Sequence, residues 1–135
     1  MKLYLPSVSV NEAVARNAVA SFVSQLNPTI EELADIKCAV SEAVTNSIVH
    51  GYKFSQGVIY IGVKYYIDRT VVIEIKDKGC GIENVAQAMT PLFTTDTSGE
   101  RSGMGFAVMQ TFTDKLIVQS KIGLGVRILM TKKLK

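Results

Sequence analysis

TVVIEIK, residues 70–76, constrains the fold more than any other stretch. Val71, Ile73 and Ile75 alternate with Val72, Glu74 and Lys76, the period of two that gives a strand one apolar face and one face at least half wet. VIYIGVKYY, residues 58–66, is equally rich in β-branched and aromatic residues, and Asp68-Arg69 joins the two runs as a hairpin. A sheet with one apolar face hides it under helices, so the pattern predicts an α+β chain with helices on one side. KLYLPSV, residues 2–8, reads as a short first strand whose Pro6 favours an edge. LIVQS and GVRILMT read as a closing pair of strands.

Two segments supply the helices. Ser9-Val10-Asn11-Glu12 has the capping-box pattern, and Ala15, Val19, Phe22 and Leu26 follow at helical spacing, with Glu12 and Arg16 on a more polar side, until Asn27-Pro28. Thr29-Ile30-Glu31-Glu32 is a second capping box. Leu33, Ile36, Val40, Ala43, Val44 and Ser47 then trace one apolar stripe through to Gly51. Off that stripe, Glu42, Asn46 and His50 recur every four residues and line one slanted row. Cys38, Ala39 and Val49 flank the row where a wet helix would carry charges, which predicts that something covers this second face. MGFAVMQTF reads as a later helix, and ENVAQAM as a weakly helical stretch.

Bulk properties narrow the function classes. At 135 residues the chain fits one domain, residues 1–135, and 47% hydrophobic with 20% charged residues excludes intrinsic disorder. The net charge is +3, and the basic residues are scattered apart from Lys132, Lys133 and Lys135, so no nucleic-acid footprint is expected. Cys38 and Cys80 lack metal-ligand spacing and are expected to be reduced. No apolar run approaches the roughly 20 residues of a membrane span, and MKLYLPSVSVNEAVAR lacks a signal-peptide core, so the expected setting is the cytoplasm.

Two glycine-rich stretches could carry chemistry. Asp77-Lys78-Gly79-Cys80-Gly81 comes directly off a strand; its glycines let backbone approach a ligand, and its carboxylate can accept a hydrogen bond from an exocyclic amine. Arg101-Ser102-Gly103-Met104-Gly105 leads into a helix, whose free amides beside a guanidinium suit phosphate. Between them the turn-rich Thr90–Gly103 has the length of a lid or binding loop. No G-x-x-x-x-G-K-[ST] run or dinucleotide fingerprint occurs. Cys80 reads as a small apolar filler, His50 as a structural residue near a helix end, and Tyr60, Tyr65 and Tyr66 as sheet packing.

Taken in order, E-x-x-x-N-x-x-x-H on a helix, D-x-G-x-G after a strand, a Thr/Ser/Gly loop and a glycine-entered helix resemble the Bergerat-fold (GHKL) ATPases and kinases, the superfamily of gyrase, histidine kinases and MutL. Within it EAVTNSIVHGY, PLFTT and ERSGMGF are similar to the anti-sigma factor serine kinases, and the likeness covers nearly the whole chain. The resemblance implies an α+β ATP-binding sandwich, a mixed, mostly antiparallel sheet with helices on one face. ATP or ADP would lie between the Glu42 helix and the glycine loops and cover the second face of that helix. It implies that Asn46 coordinates Mg²⁺, that Asp77 reads adenine, and that Gly79, Gly81, Gly103 and Gly105 shape the pocket, with Ser102 and Met104 in the second glycine box. Thr94, Thr95 and Arg101 would belong to the lid, and Glu42 would activate the attacking hydroxyl.

By the same resemblance the chain would bind and inhibit a sporulation sigma factor, sigma F-like, and phosphorylate a serine on an anti-anti-sigma partner. It would form a homodimer, with KLYLPS as the pairing edge and Glu12 and Arg16 as partner contacts. Other readings are a general-stress-type anti-sigma kinase, a non-catalytic nucleotide-dependent switch, or a histidine kinase catalytic domain, for whose phosphoacceptor helix there is no room. Two positions depart from the pattern: Ser102 stands where many members have glycine, and Val126 where a threonine often follows glycine.

Overall fold

The computed structural model describes residues 1–82, 85 and 105–135. Strand β1 (Lys2–Pro6) leads to helix α1 (Asn11–Val23) and a 3₁₀ turn at Ser24–Leu26. Helix α2 (Ile30–Asn46) runs on into a π-helical turn, Ser47–Gly51. Strands β2 (Val58–Tyr65) and β3 (Thr70–Asp77) follow, then helix α3 (Gly105–Phe112) and strands β4 (Lys115–Lys121) and β5 (Gly125–Lys133). The ENVAQAM stretch, all but Val85, and the Thr90–Gly103 loop lie outside the described residues.

The strands form one sheet in the order β1-β2-β3-β5-β4. Every pairing among them is antiparallel, so the expected mixed sheet contains no parallel pair among the described strands. Hairpins β2–β3 and β4–β5 reverse the chain locally, and β3 beside β5 joins them into a continuous ladder. Strand β1 is an edge, where the missing N–H of Pro6 costs no ladder bond. In the β2–β3 turn Arg69 takes a left-handed φ of 71°, and Asp68 Oδ1 accepts from Thr70 N at 3.0 Å.

The alternation in β3 sorts as its sequence requires. Val71, Ile73 and Ile75 are buried with Ile59, Ile61, Ile128 and Met130, while Val72 and Glu74 are half-buried and Lys76 is exposed on the other face. Helix α1 seals the inner face with Ala15, Val19 and Val23, and α2 with Ile36, Val40, Ala43 and Val44. Each of these buried valines and isoleucines stabilises the fold by about 1.5–3 kcal/mol relative to exposure. The small residues Ala39 and Ala43 let α2 pack against both α1 and α3. Ala39 is thus covered as expected, whereas Cys38 is exposed. The tyrosines separate: Tyr60 packs against Tyr4 on the open sheet face, Tyr65 against Phe22, and Tyr66 is 48% exposed. No helix among the described residues is long and apolar enough to cross a membrane.

The two capping boxes fare differently. Thr29 Oγ1 accepts from Glu32 N at 3.0 Å while Glu32 Oε1 accepts from Thr29 N at 2.9 Å, a complete reciprocal box. At α1 the N-cap is Val10, whose side chain carries no acceptor, so the box expected from Ser9 and Glu12 does not form; Asn11 Nδ2, at the first helical position, donates to Pro6 O at 2.8 Å.

Glu32 also closes the chain on itself, because its Oε2 accepts from Lys135 N at 2.8 Å. The amides of Thr29 and Lys135 hold its carboxyl below the ordinary range. A carboxyl held low in the folded state stabilises it while ionised. That contribution is complete above the unfolded value, near 4.5, and fades as the pH falls below it through the folded value. Glu32→Gln is therefore expected to lose about 1 kcal/mol in urea unfolding at pH 7, and clearly less at pH 3.

Candidate functional site

The π-helical turn at the end of α2 aims its side chains at the end of β3. An extra residue in a helical turn rotates the side chains beyond it to a new direction, and such turns recur at functional sites. Here Ser47 and Gly51 are both brought against Asp77. Ser47 Oγ donates to Asp77 Oδ2 at 2.8 Å, and Gly79 N donates to Oδ1 at 2.9 Å. A methyl group placed on Gly51 would lie 3.0 Å from that carboxylate.

The D-x-G-x-G loop folds back onto the same turn. A methyl on Gly79 would fall 2.3 Å from Gly51 O, and Cys80 N donates to that oxygen at 2.9 Å. Only a residue without Cβ fits there. Gly81, at φ 80°, faces Lys121 O, and Ser120 Oγ accepts from Ile82 N at 2.6 Å, so the loop is fixed on its far side by β4. Tyr52 braces the near side, its hydroxyl donating to Val58 O at 2.6 Å and accepting from Lys78 N at 2.8 Å.

Asp77 is 7% exposed. Burial pushes its carboxyl pKa up, against the opposing pull of the Gly79 amide, the Ser47 hydroxyl and the Val126 amide. Val126 pairs with Asp77 across the β3–β5 ladder, so its backbone rather than its side chain bears on the site. A buried carboxylate whose two bonded donors come from different elements is held in one orientation and keeps spare acceptor capacity.

Glu42 and Asn46 meet at the start of α3. A methyl on Gly105 would stand 3.3 Å from Glu42 Oε2, 3.5 Å from Asn46 Oδ1 and 3.6 Å from Asn46 Nδ2. The backbone entering α3 thus lies directly against the two polar side chains of α2, with only the absent Cβ between them. Glu42, Asn46 and Gly105 form one group, and Asp77, Gly79 and Gly81 a second, joined through the 46–51 segment. Thr94, Thr95, Arg101, Ser102, Gly103 and Met104 lie outside the described residues. Glu12 and Arg16 sit apart on α1, and both are less exposed than expected. Arg16 Nε is 3.0 Å from Glu12 Oε1 with side-chain exposures of 34% and 24%, an ion pair that lacks hydrogen-bond geometry.

Sequence reasoning passed over three residues: Ser47, read as part of the apolar stripe, Gly51 and Tyr52. A hydroxyl in an otherwise apolar stripe was the available signal for Ser47. The roles of Gly51 and Tyr52 depend on the distant Asp77–Cys80 segment and have no local signature.

An antiparallel sheet backed by helices, with a strand-end carboxylate set among close-packed glycines, is the layout of a nucleotide-binding ATPase domain, and residues 6–132 match the histidine kinase-like ATPase domain family. The histidine kinase fold is seen in the blue-light activated histidine kinase of Erythrobacter litoralis, at TM-score 0.60 and 16% identity over 87% of this chain and 40% of that longer one. It is seen again in the catalytic domain of the histidine kinase ThkA, at TM-score 0.57 and 20% identity over 76% of this chain and 68% of that one. An anti-sigma F factor of Clostridium novyi is 54% identical over 136 residues, 100% of this chain and 94% of its own. One from Thermoanaerobacter sp. is 55% identical over 133 residues, 98% of this chain and 92% of its own. The chain belongs to the histidine kinase-like ATPase family and, within it, to the anti-sigma F factors.

Proposed function

We propose that this chain, a single domain over residues 1–135, is a cytoplasmic anti-sigma factor. It holds a sporulation sigma factor, sigma F-like, and uses ATP to phosphorylate a serine of an anti-anti-sigma partner. The observation that carries the kinase reading is the convergence of Glu42 and Asn46 on the Gly105 backbone, which sets a carboxylate beside a neutral oxygen ligand.

The residues fit an adenine nucleotide with Mg²⁺. Asp77 offers a buried, acceptor-only carboxylate suited to the exocyclic amine of adenine, in a loop that Gly79 and Gly81 allow to pack tightly on Gly51 and Lys121. Asn46 offers one amide oxygen, and Mg²⁺ commonly takes only one or two protein oxygens beside phosphates and water. When bound, ATP would supply the γ-phosphoryl group, with ADP leaving as its β–γ bond breaks, and the metal would neutralise phosphate charge. Glu42 orients the serine hydroxyl and accepts its proton as that oxygen attacks. The backbone at Gly105, set against Glu42 and Asn46, would lie on the phosphate side of the nucleotide. By the resemblance in sequence, Thr94, Thr95, Arg101, Ser102, Gly103 and Met104 would be further nucleotide contacts.

A homodimer would form at β1, an edge strand on which Tyr4 is 65% exposed beside Val58 at 54%. Glu12 and Arg16 present the partner contact on α1. A half-exposed i, i+4 ion pair of this kind contributes about 0.3–0.5 kcal/mol to stability, so this pair separates binding from folding. Arg16→Ala is expected to change stability by less than about 0.5 kcal/mol while weakening sigma factor binding about tenfold or more. Size-exclusion co-elution with a sigma F-like factor in ATP or ADP tests the anti-sigma role. Formation of a complex that blocks run-off transcription supports it, and separate elution in both nucleotides overturns it.

A further inference from the structure

We propose that Ser47 sets base selectivity at this site: its hydroxyl holds the Asp77 carboxylate as a pure acceptor, which selects a purine bearing an exocyclic amine over one bearing a carbonyl. This rests on the reading of Asp77 as the base contact.

Ser47 is 2% exposed and lies among Ala43, Val44 and Ile48, all buried. A hydroxyl in such surroundings costs free energy unless it is hydrogen-bonded, and alanine would fill the position more cheaply. The hydroxyl spends its proton on Asp77 Oδ2 at 2.8 Å, while Gly79 N holds Oδ1 at 2.9 Å. One donor comes from the π-helical turn and the other from the loop after β3, so the plane of the carboxylate is fixed from two elements. An ionised carboxylate has about four acceptor positions, and these two donors leave room for an amine while offering nothing to a carbonyl.

Removal of the hydroxyl changes both properties. The carboxylate loses its anchor on the α2 side and turns more freely about its Cβ–Cγ bond. Burial then favours the protonated acid, which carries a donor and accommodates a carbonyl-bearing base. Discrimination between the two purines shrinks because one ligand loses its acceptor while the other gains a donor.

The test uses the full chain with Mg²⁺ and compares ADP with inosine diphosphate by calorimetric titration. In Ser47→Ala the ratio of ADP to inosine diphosphate affinity is expected to fall about tenfold. Ser47→Thr, which keeps the hydroxyl, is expected to restore the ratio to within about threefold of the unsubstituted chain. A merely structural role would weaken both nucleotides equally, and an unchanged ratio in Ser47→Ala overturns the proposal. Asp77→Asn separates the two levels. If it loses ADP while Ser47→Ala keeps the ratio, only the role of Ser47 fails; if it binds ADP as before, the base-contact reading fails, and the role of Ser47 with it.

Discussion

Glu42→Gln is expected to bind ADP within about threefold of the unsubstituted chain and to transfer phosphate about 10²- to 10⁴-fold more slowly, the usual worth of a positioned general base. Glutamine keeps the length and planar end of glutamate, so the packing of α2 against the start of α3, where Glu42 Oε2 would stand 3.3 Å from a methyl on Gly105, is preserved. What is lost is the capacity to accept a proton from an attacking hydroxyl. Equilibrium titration with ADP and single-turnover phosphorylation separate the two quantities. Transfer at the unsubstituted rate would remove Glu42 from the chemistry.

Asp77→Asn is expected to produce the opposite division, with ADP affinity down about 100-fold or more and thermal stability at pH 7 equal or higher. Burial raises the native carboxyl pKa above its ordinary 3.8, so the folded chain binds this proton more tightly than the unfolded one. Stability from this group is therefore greatest at acid pH and declines as the pH rises from the unfolded value through the raised native one. Asparagine removes that cost at neutral pH, its amide oxygen able to accept from Gly79 N and its NH₂ to donate to Ser47 Oγ. The same exchange places an amide where an anionic acceptor faced the base, forfeiting a charge-assisted bond and its orientation. Thermal unfolding at pH 7 and pH 4.5 beside an ADP titration checks both halves. A marked loss of stability at pH 7 would show that Asp77 is held for the fold rather than for a ligand.

Features written in local pattern were readable from the sequence. The alternation in residues 70–76, the Asp68-Arg69 turn, the Thr29–Glu32 box and the inner stripe of α2 each depend on neighbours within a few residues, and each stands as expected. Glu42, Asn46 and Gly105 were legible as site candidates through motif order, and the fold brings all three together. What the pattern concealed is tertiary. Ser9-Val10-Asn11-Glu12 has the residue types of a capping box, yet the helix begins one residue later than that box requires, with Val10 rather than Ser9 at the N-cap. Ser47 has the spacing of a core residue and becomes a ligand of Asp77 only because the helix widens after Asn46. The bond between Glu32 and Lys135 spans 103 residues and has no local trace. Glu12 and Arg16, expected on a polar face, partly satisfy each other, which lowers the exposure inferred from pattern alone.

The most direct test of the kinase reading is incubation of the chain with labelled ATP, Mg²⁺ and a purified anti-anti-sigma protein, followed by acid treatment and phosphoamino-acid analysis. Acid-stable phosphoserine on the partner, lost with Glu42→Gln, is the predicted result. Absence of phosphoserine under conditions where ATP binds, or label found only as acid-labile phosphohistidine, would contradict it.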